Sequence, residues 1–300
     1  MTPVYLSLFA VMTLGELLFA KGCSNATERA GRTGYAMFMF LNGVVSCLFF
    51  ATVSGFQLTC TPITLVFAAL FAAVVLVSLL STLCAYTIAD IANVSVINSA
   101  CTLLVTTFVG VWLFRESFDW NKGLRVILML TATFLVFWDT RKRGESPTRK
   151  SNKGALWKLA GLLCLLIVAN GSSTILLKYF TQTPGVASEN DFFFFINVIL
   201  MVVSAVWFLW EQHRSKQSFA ACVQGVRPTH LLCYAGRTVS SNAAALMTMY
   251  LLAVMDVSLY TPLTGALAIL CGVAASLLFR EKPGPWALLA AALAITAVVC

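Results

Sequence analysis

Two charged residues sit where charge is expensive. Glu16 lies within an apolar run over 3–21, and Arg237 lies within another over 230–251. A charge at the centre of a bilayer costs about 2.5–3.5 kcal/mol on insertion scales, so neither side chain is expected to face lipid unpaired. Three chemistries are open to them. The two can form a buried ion pair that locks one state or helps packing. Arg237 can anchor an anionic or carboxylate-bearing small molecule, because its planar fork suits bidentate capture. Glu16 can hold a proton or a cation and couple its movement to a gradient. Glu16 is five residues before Lys21, and Arg237 is about two turns into its run, so the two can share a depth off the midplane.

A second tier of candidates is uncharged. Asn170 and Ser173 belong to the stretch Asn170-Gly171-Ser172-Ser173-Thr174, which interrupts an otherwise apolar run. Ser241 and Asn242 follow Arg237 by about one turn. Asn98 lies in the run 94–114, and Tyr260 lies in the run 258–279 beside Thr261 and Pro262. Such residues commonly join helices inside membranes, at about 0.6 kcal/mol each. Their spread over four runs also allows them to line a polar cavity. Asn42 and Asn197 read as packing residues, and Glu116 and Glu281, each beside an arginine, as charges that turn the chain.

Enzyme chemistry finds no support in the spacing. Phosphate-cradling glycine loops, the nucleophile elbow and the zinc-protease helix motif are all absent. The ten cysteines form no C-x-x-C pair, and His213 and His230 lack ligand spacing. No metal and no cofactor is expected. Nucleic acid is not expected as a partner either, because the basic cluster lacks interleaved aromatic residues.

The elements that position these residues follow from composition. Of the 300 residues, 59% are hydrophobic and 11% charged, where soluble domains have roughly 45–50% and about 25%. The mean hydropathy is +0.87. A soluble chain of this size needs far more charge, so an all-α integral membrane protein is expected. Ten stretches have close to the roughly 20 residues that a crossing helix needs: 3–21, 34–53, 63–86, 94–114, 122–138, 155–177, 192–210, 230–251, 258–279 and 285–300. Alternation of the kind that marks a membrane β-barrel is missing. Gly22-Cys23-Ser24-Asn25 is expected to end the first helix. Of the Lys and Arg residues near run ends, fifteen fall in the odd-numbered connections and four in the even-numbered ones. That bias places the odd connections in the cytoplasm and both termini outside. The cluster Arg141, Lys142, Arg143, Arg149, Lys150, Lys153 and Lys158 fixes this orientation, and contact with anionic lipid headgroups is its second possible role.

An internal repeat organises the ten runs. Leu113-Phe114-Arg115-Glu116 returns as Leu278-Phe279-Arg280-Glu281. Phe38-Met39-Phe40-Leu41-Asn42 returns as Phe193-Phe194-Phe195-Ile196-Asn197, Asn93-Val94-Ser95-Val96 as Asp256-Val257-Ser258-Leu259, and Lys21 as Lys178. The matches keep their order, at offsets of 155 to 165 residues. They define a first five-helix repeat over 1–139, a basic linker over 140–153 and a second five-helix repeat over 154–300. Five is odd, so the second repeat enters the membrane from the opposite face. Ten transmembrane helices as two inverted repeats are a common build of secondary carriers.

The Phe-Arg-Glu turn, present twice in a ten-helix chain, resembles the EamA-like branch of the drug/metabolite transporter superfamily. Glu116 and Glu281 match the acidic turn that ends the fourth helix of each family repeat, with Arg115 and Arg280 in place of a glycine. Pro262 matches a proline common in that helix, and Ser99 stands at the equivalent place in the first repeat. The resemblance implies export or exchange of a small polar or anionic metabolite, amino acid or drug by alternating access, through a cavity lined by helices 1, 3, 4, 6, 8 and 9. It also implies termini in the cytoplasm, the reverse of the charge count. Membrane lipids, a small-molecule substrate and protons as coupling ion are the expected partners, and the cell (inner) membrane the expected location. A lipid scramblase of the same fold and a proton-coupled multidrug exporter using Glu16 are the alternatives.

Overall fold

The structure, a computed structural model, describes residues 2–29, 31–86, 103–117, 119–142, 153–215, 228–278 and 285–299. Among these residues every regular element is a helix. We number them α1 (Thr2–Arg29), α2 (Gly31–Val53), α3 (Pro62–Tyr86), α4 (Leu103–Leu113), α5 (Trp120–Lys142), α6 (Lys153–Gln182), α7 (Glu189–Ser215), α8 (Pro228–Val254), α9 (Val257–Leu278) and α10 (Pro285–Val299).

Three of them contain stretches long and apolar enough to cross a membrane: Ala36–Val53 of α2, Ala160–Gln182 of α6 and Glu189–Arg214 of α7. Shorter apolar helices occupy Val4–Glu16, Pro62–Ser78, Leu103–Leu113, Val257–Cys271 and Leu288–Ala297. Their exposed faces are apolar too. Val202, Val206 and Leu209 of α7 follow one another at helical spacing, and each is more than half exposed. Water would not tolerate many such faces, and lipid does. This is the make-up of a helical membrane protein.

One boundary differs from the sequence expectation. α1 runs on through Gly22-Cys23-Ser24-Asn25 to Arg29. One interior glycine costs about 1 kcal/mol relative to alanine, too little to end a helix that its neighbours extend. The polar stretch from Asn170 to Thr174 lies inside α6, unbroken from Lys153 to Gln182, as the single run over 155–177 led us to expect. Pro262 lies within α9 without ending it.

The chain forms two compact units, and neither is one half of the sequence. The first comprises Met1–Ala72 and Thr183–Tyr250, the second Ala73–Gln182 and Leu251–Cys300. In the first, α2 and α7 pack along each other. Phe50 stacks on Phe193 at 5.3 Å between ring centroids, and Ala36 and Met37 meet Phe208 at the other end, so the two helices are antiparallel. Between these ends Gly43 admits the backbone of α7: a Cβ there would lie 2.7 Å from Met201 Cβ and 2.9 Å from Met201 Cα. Association inside lipid gains no hydrophobic drive, so such close approach supplies the dispersion energy instead.

In the second unit, α5, α9 and α10 pack together. Val126 and Met129 of α5, Ala266 of α9, and Ala294 and Ala297 of α10 form its core with Leu103. α10 presents Ala290, Ala294 and Ala297, all buried, at the i, i+4, i+7 spacing of one helix face. Its small side chains are what let the other helices come near.

Candidate functional site

α1 and α8 lie side by side in the first unit, antiparallel. Tyr5 stacks on Tyr250 at 5.7 Å, a Cβ at Gly15 would meet Ser240, and a Cβ at Gly236 would meet the Phe19 ring. This register brings Glu16 to Arg237. The Arg237 Nε stands 3.9 Å from Glu16 Oε1, and the two side chains are 44% and 31% exposed. That distance is too long for a hydrogen bond. Ser241, one turn beyond Arg237 on the same face of α8, lies beside the Glu16 carboxylate.

The neighbouring stripe of α8 faces α2. Thr238 Oγ1 donates to Asn42 Oδ1 at 2.9 Å, and Asn242 Nδ2 donates to Ser46 Oγ at 2.9 Å. Four residues separate the two rungs on both helices, so α2 and α8 run parallel there. Ser46 is fully buried. Asn242 is therefore turned away from Glu16 and is engaged in joining helices. Asn42 and Asn197, matched in sequence, have different partners, since Asn197 Nδ2 donates to Phe193 O of its own helix at 2.8 Å.

The second unit holds the remaining described candidates. Asn170 Oδ1 accepts from Ser78 Oγ at 2.7 Å, tying α6 to α3. Ser173 turns its hydroxyl back to Asn170 O at 2.7 Å. Tyr260 is buried in α9. Asn98 lies outside the described residues, as do Ser99, Arg280 and Glu281. Of the eight candidates, then, Glu16, Arg237 and Ser241 meet in one place.

A second polar cluster surrounds the link between α8 and α9, all within the second unit. Glu116, just past the end of α4, accepts the Val257 amide on Oε1 at 2.7 Å and the Ser258 amide on Oε2 at 2.9 Å. The first amides of a helix have no partner within it and carry partial positive charge, so a carboxylate is well placed there. Lys178 of α6 does the converse at the end of α8. It is buried and donates to Leu252 O at 2.6 Å and Met255 O at 2.8 Å. Lys122 of α5 pairs with Asp256 in the link at 2.6 Å and donates to Ser117 O at 2.7 Å.

Backbone geometry delivers Glu116 to this place. Arg115 has a φ of 52°, in the left-handed region that favours glycine. Gly110 makes room: a Cβ there would lie 2.8 Å from Glu116 Oε2 and 3.1 Å from the Ser258 amide. Sequence reasoning missed Lys122 and Asp256 as partners. A signal existed, because Lys178, Glu116 and the Asp256-Val257-Ser258 start of α9 are all members of the internal repeat. Among the described residues no group of three His, Cys, Asp or Glu side chains gathers to hold a metal.

No known family profile and no curated protein matches the chain. Chains of solved structures do. One crystal structure of a protein aligns at 12% identity over 98% of this chain and 96% of its own, with a TM-score of 0.67. At that identity the similarity shows a shared fold.

Proposed function

We propose that the chain is a secondary transporter that carries a small polar or charged solute across the cell (inner) membrane by alternating access. In this reading it is a multi-pass protein of ten spans, arranged as two inverted five-helix repeats of the EamA-like kind. The single observation that carries the reading is the loosely apposed, partly exposed Glu16–Arg237 pair between two apolar helices. A pair that served packing alone would be expected to close to about 2.8 Å and leave the surface. The antiparallel packing of α2 on α7 supports the inverted arrangement, as does the packing of α5 with α10, since each couples helices five places apart in the order. The apolar exposed faces support residence in lipid.

The test is flux in proteoliposomes, run beside a fluorescent-lipid flipping assay on the same preparation. Uptake of small solutes that Arg237→Ala abolishes, with membrane insertion intact, is the expected result. Lipid flipping without solute flux would replace the carrier with a scramblase.

A further inference from the structure

We propose that the start of α7 binds a monovalent metal cation, with the Asp191 carboxylate as its charged ligand and the Asn190 amide oxygen as a neutral one. The inference does not rest on the carrier reading, because it uses neither Glu16 nor Arg237.

Packing builds the place. Phe193 of α7 stacks on Phe50 of α2 at 5.3 Å between centroids, and Phe192 meets Phe71 of α3 edge-on at 5.8 Å. Ser188 caps the helix, its Oγ accepting the Asp191 amide at 3.3 Å. The connection over 183–188 is tied to the start of α3, since the Ala187 amide donates to Thr64 Oγ1 at 2.8 Å. The Thr61 and Thr64 hydroxyls share a further hydrogen bond of 2.8 Å. Asp191, held among these groups, is 2% exposed.

The carboxylate is left with unused capacity. Its Oδ2 accepts the Thr59 hydroxyl at 2.6 Å. An acid three residues after a capping serine commonly reaches back to the serine amide. Asp191 does not: its Oδ1 is buried and meets no donor among the described residues. Asn190 Oδ1, on the adjacent residue, is buried and unpartnered in the same way. Both atoms can only accept, and a buried acceptor without a partner is costly.

Charge balance gives the class of ligand. Glu189 and Asp191 put two carboxylates into the first turn of α7, against about half an elementary charge of opposite sign from its amides. Neither connecting segment supplies a basic group, because no Lys or Arg lies within residues 33–114 or 179–213. Glu189 is partly exposed, which leaves Asp191 as the buried charge to be balanced. One carboxylate with neutral oxygens around it matches one positive charge. Calcium would want about six to eight oxygens, commonly from several carboxylates. No such group of acidic side chains gathers among the described residues.

The experiment follows thermal unfolding of the purified chain in detergent. Choline chloride is exchanged stepwise for lithium, sodium or potassium chloride at constant ionic strength. At least one alkali cation is expected to raise the melting temperature along a saturating one-site curve. Asp191→Asn, nearly the same shape without the charge, is expected to abolish the rise. Asn190→Ala, at a partly exposed position, is expected to raise the half-saturating concentration about tenfold. Equal melting in all four salts overturns the proposal, and so does a rise that persists in Asp191→Asn. Should that variant fail to fold, Asn190→Ala decides, and an unchanged half-saturation there overturns the proposal. Stabilisation by calcium chloride or by acidification, with no response to the alkali cations, assigns Asp191 to a divalent ion or a proton and overturns it as well.

Discussion

Glu116 reaches from the end of α4 to the first turn of α9, where its Oε2 accepts the Ser258 amide at 2.9 Å. With the Val257 amide on Oε1, one carboxylate satisfies two of the amides that a helix start leaves open. On the other side of the same link, Lys178 satisfies two carbonyls at the end of α8. With Lys122 on Asp256, opposite charges balance, and three helices hold a single connection.

Replacing Glu116 by glutamine removes the charge and one of the two acceptors. Hydrogen bonds to charged groups are worth about 1.5–3 kcal/mol, so Glu116→Gln is expected to lower stability by about 2 kcal/mol. Hydrogen exchange at the Val257 and Ser258 amides should rise at least as much as exchange elsewhere in α9. Gly110→Ala is expected to act through the same contact, because its new methyl would lie 2.8 Å from Oε2. The double variant should then cost clearly less than the sum of the two single ones. Additive costs would mean that the glycine and the carboxylate act separately.

Lys178→Met keeps the volume of the side chain and removes its donors. The Leu252 and Met255 carbonyls lose that partner, and each buried group left without one costs about 1–3 kcal/mol. Chemical unfolding in detergent is expected to show a loss of at least about 2 kcal/mol. An unchanged midpoint would show that water replaces the ammonium without cost.

Arg115 pays a local penalty for its backbone. A left-handed conformation costs an ordinary residue about 1–2 kcal/mol, and its φ of 52° lies in that region. Glycine relieves this strain but gains freedom in the unfolded chain, an offset of about 0.4–1 kcal/mol. Arg115→Gly should therefore raise stability by roughly 0.5–1 kcal/mol, measured as a higher unfolding midpoint. A lower midpoint would mean that the arginine side chain makes a contribution larger than its strain.

Gly43→Ala should destabilise by about 1–3 kcal/mol, the usual cost of overpacking. Trimming the neighbour is not expected to rescue it. The new methyl meets Met201 at Cβ and at Cα, and Met201→Ala keeps both atoms. Rescue by that change would show that only the far end of the methionine was in the way.

Some of this was legible in the sequence, for physical reasons that differ from residue to residue. Glu16 and Arg237 stood out because a charge within an apolar run is rare and costly. Arg237 and Ser241 share a face because they are four residues apart, and Asn242, one further, turns to α2. The register that brings α1 to α8 was not legible, since it depends on Gly15 and Gly236 fitting Ser240 and Phe19. Lys122 and Asp256 escaped notice because charges near helix ends are ordinary, and nothing local pairs two residues so far apart in the chain. Asn170 and Ser173 read as residues that join helices or line a cavity; Asn170 does the former through Ser78, a partner composition could not name, and Ser173 turns to its own helix. The compact units were equally hidden, because each joins segments from both ends of the sequence.

Under the proposed alternating access, position 237 opens to each side of the membrane in turn. Arg237→Cys, in a chain whose ten native cysteines are replaced by alanine or serine, reports this when a membrane-impermeant thiol reagent is applied from one side and then from the other. Labelling from both sides is expected. Labelling from one side only would contradict alternating access.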